Sequence, residues 1–272
     1  MSLDRIHPVL ITRDAAATIE RTLSSLSAFP DVLVYDNGST DATLDICRRH
    51  SNVRIETGEF FGFGRTKAHA VSLARGDWVF SIDADEYLSP ELLESLAAAN
   101  LEDPRVAYAL ERGNLFMGKH VTHGGWGDDW IVRIFDRREC QFSDRSVHEK
   151  VVVPDGVRVE RLDGMLWHQT VTDVGQFLTK INRYSDLALL RDRPVRSPPV
   201  IAIMTIWSTL KSYLIKGGFL EGWRGLVIAY CDGVGVFFRY IKRYAKAKKS
   251  ESEASGADQA SARDSGNARI SK

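Results

Sequence analysis

Asp83-Ala84-Asp85-Glu86 puts three carboxylates within four residues. Two Asp one residue apart can turn toward a shared point in a loop, where hard oxygen ligands suit Mg²⁺ or Mn²⁺, and such a cation neutralises a diphosphate. The stretch follows Asp77-Trp78-Val79-Phe80-Ser81-Ile82, an apolar run that reads as a buried strand, so the acids arrive at a strand end. The plainer alternative is a solvated turn ahead of a helix starting at Ser89-Pro90-Glu91. Asp36 closes a second apolar run, Val32-Leu33-Val34-Tyr35. In open parallel sheets ligands bind outside the carboxyl ends of the strands, so Asp36 and Asp83/Asp85 can converge on one crevice although they are remote in sequence.

The elements that would carry these acids follow an alternating pattern. From residue 7 to about 100, short apolar runs alternate with helical periodicity, the signature of strands crossed over by helices in a parallel sheet. Asp14 is placed to cap a helix with Ile19, Leu23 and Leu26 on one face. After residue 105 the runs shorten and suit a mixed, partly antiparallel extension. Residues 173–191 read as a helix, broken by Pro194 and Pro198-Pro199. Residues 200–210 and 226–240 read as apolar helices, the first too short for a span of roughly 20 residues. Their Trp and Phe interleaved with Lys and Arg match a segment lying on a membrane surface, an ordinary helical hairpin being the alternative. The Ser/Ala/Asp/Gly tail is expected to be disordered. The expected organisation is 1–105 and 106–192 as two halves of one α/β domain, 193–245 as an appendage and 246–272 as tail. Lys plus Arg and Asp plus Glu both number 36, so no global field favours nucleic acid. Three dispersed cysteines argue against a disulfide scaffold and for a reducing compartment. With no long apolar stretch near residue 1, the catalytic part is expected in the cytoplasm.

Val34-Tyr35-Asp36-Asn37-Gly38-Ser39-Thr40-Asp41, Ala74-Arg75-Gly76-Asp77-Trp78 and Asp83-Ala84-Asp85-Glu86, in that order, resemble the family 2 glycosyltransferases. Trp130-Ile131-Val132-Arg133-Ile134-Phe135, Val147-His148-Glu149 and Lys180-Ile181-Asn182-Arg183-Tyr184 resemble their lipopolysaccharide core glucosyltransferase branch. The resemblance implies a GT-A fold: a Rossmann-like, mostly parallel sheet flanked by helices. It implies that Asp36 accepts from the uracil edge of a UDP-sugar, that Thr12, Arg13 and Asp14 line the base and ribose pocket, and that Asp83 meets ribose or metal. Asp85 would ligate the Mg²⁺ or Mn²⁺ that bridges the phosphates, and Glu86 would approach the donor sugar. Lys67 stands where relatives often carry a basic residue followed by Asn, but Ala68 follows here; Lys67 reaches phosphate or stays solvated.

A sugar hydroxyl loses its proton as it attacks, so an inverting transferase needs a carboxylate base facing the acceptor. Glu149 is one candidate, with His148 to orient it. Asp128 and Asp129, in the glycine-rich aromatic loop Gly124-Gly125-Trp126-Gly127-Asp128-Asp129-Trp130, are the others. His168 is a candidate metal or pyrophosphate ligand, though a lone His is more often structural. Lys180 and Arg183, one helical turn apart, either clamp the diphosphate or form a solvated face. The expected activity is transfer of a hexose, glucose by the branch resemblance, to a saccharide or glycolipid acceptor at the cytoplasmic face of the inner membrane, in core or envelope synthesis. A nucleotidyltransferase also uses paired Asp, and a non-catalytic scaffold could keep the fold.

Overall fold

Side chains along a strand point alternately to opposite faces, and the first four strands use both. The computed structural model describes residues 2–143, 149–190 and 193–267, with the backbone alone at 170, 190 and 254–267. Strands β1 (Ile6–Thr12), β2 (Val32–Asp36), β3 (Val53–Thr57) and β4 (Trp78–Ser81) run parallel in the order β3-β2-β1-β4. Helices α1 (Ile19–Ser25), α2 (Thr43–Cys47) and α3 (Phe63–Ser72) connect them, and α4 (Pro90–Ala98) follows. Ile6, Leu10, Val32, Val34 and Phe80 bury on one face with Ile19 and Leu23 of α1 and Leu92 and Leu96 of α4. Val9, Leu33, Tyr35 and Val79 bury on the other with Ala70 and Val71 of α3. Cover on both faces is why β1, β2 and β4 read as apolar runs, whereas β3 at the sheet edge alternates Val53 and Ile55 with Arg54 and Glu56.

Beyond β4 the sheet becomes mixed. Strands β5 (Glu86–Leu88), β6 (Val106–Phe116), β7 (Lys119–His120), β8 (Trp130–Asp136) and, after a small β9 (Gln141–Phe142) and β10 (Val151–Val152) ribbon, β11 (Arg158–Val171) extend it as β4-β8-β6-β11-β5, with β7 on β6. Among the described residues of this half, only β6 and β11 pair in parallel. The register does the positioning. Phe80 faces Ile134, which brings Arg133 beside the end of β4, and His168 faces both Glu86 and Asn114. A register shift between Arg161 and Met165 contains Gly164 (φ 99°), where a Cβ would meet the Leu92 amide nitrogen at 2.2 Å, so only glycine lets β11 pass α4. This is the α/β arrangement expected from the sequence, with the antiparallel extension where the pattern changes.

Residues 1–122 and 126–172 form this first unit; 123–125 and 173–272 form a second. The second holds α5 (Val174–Leu187), capped by Asp173 on the Gln176 amide, α6 (Pro198–Leu210) and α7 (Trp223–Asn267). Its boundary precedes α5, not residue 193, because α5 packs on α7: Lys242 Nζ donates to Asn182 Oδ1 at 2.7 Å and Asp186 Oδ1 at 2.6 Å. Pro198 and Pro199 do not merely break a helix; they open α6, where a missing N–H costs nothing. Of the tail expected to be disordered, α7 takes in the backbone to Asn267, and residues 268–272 lie outside the described residues. Ala, Glu, Lys and Arg favour helix, and Lys248 pairs with Glu251 at 2.6 Å one turn on. No helix among the described residues is long and apolar enough to cross a membrane. Cys47, Cys140 and Cys231 are free and buried.

Candidate active site

The parallel strands end in a row of acids and hydroxyls. Thr12 and Asp36 are register partners at the ends of β1 and β2, and Ile82 donates to Val9 O, which sets Asp83 on the same edge. Asp36 is buried. Its Oδ2 accepts from the Gly38 and Ser39 amides, both at 3.0 Å, and its Oδ1 from the Ser39 hydroxyl. Asp14 does not cap α1. It has a left-handed backbone (φ 52°), and its carboxylate accepts from Thr40 N at 2.7 Å, a bond that lowers its pKa. Asp41 in turn accepts from the Ala16 amide, so the loops after β1 and β2 are stitched together. Thr12 is buried and its hydroxyl has no hydrogen-bond partner among the described residues. Arg13 is exposed beside Asp14.

Asp83 is held quite differently. Lys67 Nζ lies 2.7 Å from its Oδ1 and Arg133 Nη2 donates to its Oδ2 at 2.7 Å. Burial opposes ionisation of Asp83, yet Arg133 and Lys67 outweigh it and hold the carboxyl well below the usual carboxylate range. Arg133 also donates to Glu86 Oε1 at 2.7 Å, and Arg112 lies 3.6 Å from the same oxygen. Lys67 reaches Glu149 Oε1 at 3.0 Å. Its ammonium is buried, which disfavours charge, but Asp83 and Glu149 more than compensate, against repulsion from Arg133, and raise its pKa. A chain of alternating charge thus runs Glu149, Lys67, Asp83, Arg133, Glu86, Arg112, Asp129, the last held by Arg112 Nε at 2.8 Å and Nη2 at 2.6 Å.

Two expectations change here. Lys67 is not a solvated side chain, and Glu86 is not a donor-sugar contact: it has no exposed surface and is enclosed by Arg133, Arg112 and the Asp83 amide, whose N–H it accepts at 2.9 Å. The base candidates Glu149 and Asp129 sit at opposite ends of the charge chain. Asp128 is exposed, with φ 52°. His148 lies outside the described residues. Trp126 packs on Phe116 and Trp130 under Arg161. Lys180 and Arg183 are on α5 of the second unit.

For a divalent cation the donors to consider are Asp85 and His168, whose Oδ2 and Nε2 are 3.4 Å apart. Asn114 gives its amide N–H to Trp126 O at 2.9 Å, which leaves Oδ1 facing His168 Nδ1 at 2.9 Å. That oxygen only accepts, so Nδ1 carries a proton, and in the neutral ring the Nε2 lone pair is turned toward Asp85. Of the two, the carboxylate is the ligand type that suits Mg²⁺ or Mn²⁺. Among the described residues no three His, Cys, Asp or Glu side chains cluster as a metal site, so remaining ligands would come from phosphate or water; Asp83 is already neutralised by two cations. Sequence reasoning passed over Arg112, Arg133 and Asn114. Arg133 did carry a signal, a cation inside the apolar run Trp130-Ile131-Val132-Arg133-Ile134-Phe135, since a buried charge must find a partner.

Residues 9–151 match the family Glycosyl transferase family 2. An uncharacterised glycosyltransferase of Rickettsia typhi is 27% identical over 254 residues, covering 88% of this chain and 87% of that protein. The lipopolysaccharide core biosynthesis glycosyltransferase LpsC of Rhizobium meliloti is 24% identical over 251 residues, covering 85% and 91%. Among solved structures, S. aureus TarS residues 1–349 in complex with UDP is 16% identical, with a TM-score of 0.45 over 89% of this chain and 92% of that one.

Proposed function

The chain belongs to glycosyl transferase family 2 and is a glycosyltransferase, and from that premise we propose that it moves a hexose, glucose, from a UDP-sugar to a saccharide or glycolipid acceptor with inversion. The setting is lipopolysaccharide core or envelope synthesis at the cytoplasmic face of the inner membrane, in keeping with the likeness to LpsC. The observation that carries the proposal is the row of Thr12, Asp36 and Asp83 on one edge of three neighbouring strands, tied through Lys67 to Glu149.

In this reading the uracil and ribose lie against Asp36, Arg13, Asp14 and the buried Thr12 hydroxyl, which gains in the nucleotide the partner it lacks. Asp83, its charge fixed by Arg133 and Lys67, meets the ribose. Asp85 and His168 would hold Mg²⁺ or Mn²⁺, which as a Lewis acid stabilises the departing diphosphate. Glu149 takes the proton of the acceptor hydroxyl as its oxygen bonds to the anomeric carbon and the bond to the UDP oxygen breaks. Lys67 holds Glu149 by one oxygen and leaves the other for that proton.

The test is a thermal-shift panel of UDP, GDP, ADP and CMP with and without Mn²⁺, followed by UDP-glucose hydrolysis. Stabilisation by UDP that requires metal supports the donor assignment, and a metal-independent response to CMP rejects it. Glu149→Gln should abolish turnover with UDP binding intact. Loss confined to Asp129→Asn or Asp128→Asn would move the base to that loop.

A further inference from the structure

The second unit presents an apolar face whose composition differs from the rest of the surface. On α6 and the turn after it, Ile203, Trp207, Leu210 and Leu214 recur at helical spacing, and Trp223 and Leu226 stand in the first turn of α7, all 45–67% exposed. Large apolar side chains in such number on one helix pair are a binding surface or an aggregation liability. The charges decide which.

Between residues 198 and 230 the sequence has three bases, Lys211, Lys216 and Arg224, and one acid, Glu221. Glu221 is turned inward, buried, with its Oε1 2.9 Å from His123 Nδ1. The next acid, Asp232, is also drawn in: the Ser212 hydroxyl donates to it at 2.7 Å, and burial raises its pKa. Lys211 and Lys216 are exposed, and the Arg224 guanidinium lies 4.7 Å over the Trp223 ring. The outward charge of this face is therefore wholly basic. Two copies meeting through it would bring like charges together. An anionic bilayer has the complementary sign, takes apolar side chains into the acyl boundary and seats Trp at the headgroup level.

We propose that α6, the turn that follows it and the start of α7 form a docking surface for an anionic lipid bilayer, lying in the interface without crossing it. This deepens the location given above and rests on that part of the reading alone, since vesicle binding needs neither donor nor acceptor; nucleotide-induced stabilisation of each variant tests the transfer reading separately.

The full chain is sedimented with phosphatidylcholine vesicles with and without phosphatidylglycerol. Binding should require the anionic lipid and weaken with salt. Lys211→Gln with Lys216→Gln should weaken it by about 25-fold, at about fivefold for each positive charge lost. Trp207→Glu with Leu210→Glu should remove it while the UDP-induced thermal shift persists. In the unaltered protein, brominated lipids should quench tryptophan fluorescence, and Trp207→Phe should reduce that quenching. Failure to bind anionic vesicles, binding that survives both paired variants, or a stable dimer in solution that Trp207→Glu dissociates would each overturn the proposal.

Discussion

At the end of β2, Asp36 takes its hydrogen bonds from the backbone two and three residues on, whereas at the end of β4, Asp83 takes its bonds from Lys67 on α3 and from Arg133, 50 residues away. Both are acids at the carboxyl ends of parallel strands, and both are largely enclosed. The donors to Asp36 are neutral and arrive with the turn itself. Those to Asp83 are cations that must be brought out of water by the packing of other elements, a cost that only their mutual pairing offsets. One strand end is thus locally specified and forms whenever the turn forms. The other exists only when the whole sheet is assembled, and it ties the proposed donor side to the proposed base at Glu149.

The contrast breaks most visibly at Arg133. Arg133→Met leaves Asp83 and Glu86 as neighbouring acids without their shared cation. It should cost about 3–5 kcal/mol in urea unfolding, the range for removing one partner of a buried ion pair, and Glu86→Gln added to it should recover part of the loss. A cost under about 1 kcal/mol, the range of exposed pairs, would mean that the network is solvated and the contrast false.

Asp83→Asn tests the same network through pH. The folded pKa of Asp83 is depressed, so its contribution is fully present above the unfolded value of about 3.9 and is lost as pH falls through the lower folded value. The pKa of Lys67 is raised, so its contribution is present below about 10.4 and is lost as pH rises through the still higher folded value. The destabilisation caused by Asp83→Asn should therefore be level between about pH 5 and pH 9, shrinking in acid as Asp83 takes up its proton and again in strong base as Lys67 loses its own. Thermal denaturation across that range checks it, and a penalty that varies around neutrality would contradict the assignment.

The same division explains what the amino-acid sequence made legible. The strands around Val9, Leu33 and Phe80, the acid ending each apolar run and the turn from Gly38 to Asp41 follow from local periodicity and turn chemistry. The partners of Asp83 do not. Arg133 reaches it because β8 inserts antiparallel beside β4, and His168 reaches Asp85 because β11 runs alongside β5; strand order across a mixed sheet leaves no local trace. Asp14 was misread as a helix cap for a related reason: its real partner, Thr40, belongs to the next loop. The polar end of the 45-residue α7 supplies no apolar face, and its Ala, Lys and Glu are mixed with Ser, Gly and Asp, so neither periodicity nor propensity marks it as helix.

At the local end, Asp36→Asn should be mild in the free protein. The two backbone donors converge on Oδ2, which an amide oxygen can replace, and the Ser39 hydroxyl can turn from donor to acceptor. A cost of about 1 kcal/mol is expected in urea unfolding, set against the larger loss at Arg133. Affinity for UDP should nevertheless fall, because the amide presents a donor where the proposed uracil contact needs an acceptor. A penalty matching that of Arg133→Met would place Asp36 in a long-range network as well.

The smallest effect is expected at Thr12, and its sign is informative. The backbone oxygen of Thr12 accepts from Asn37, but its buried hydroxyl has no partner. An unpaired buried hydroxyl destabilises the protein that carries it, so Thr12→Val, close in shape, should leave the free protein unchanged or up to about 1 kcal/mol more stable. If the hydroxyl is kept for a nucleotide, the same change should weaken UDP binding by about 5–10-fold, the worth of one hydrogen bond. Free-protein stability and the UDP-induced thermal shift would then move in opposite directions, an outcome that no purely structural role for Thr12 produces. Loss of stability with UDP binding unchanged would instead assign the hydroxyl to the fold and take Thr12 out of the proposed pocket.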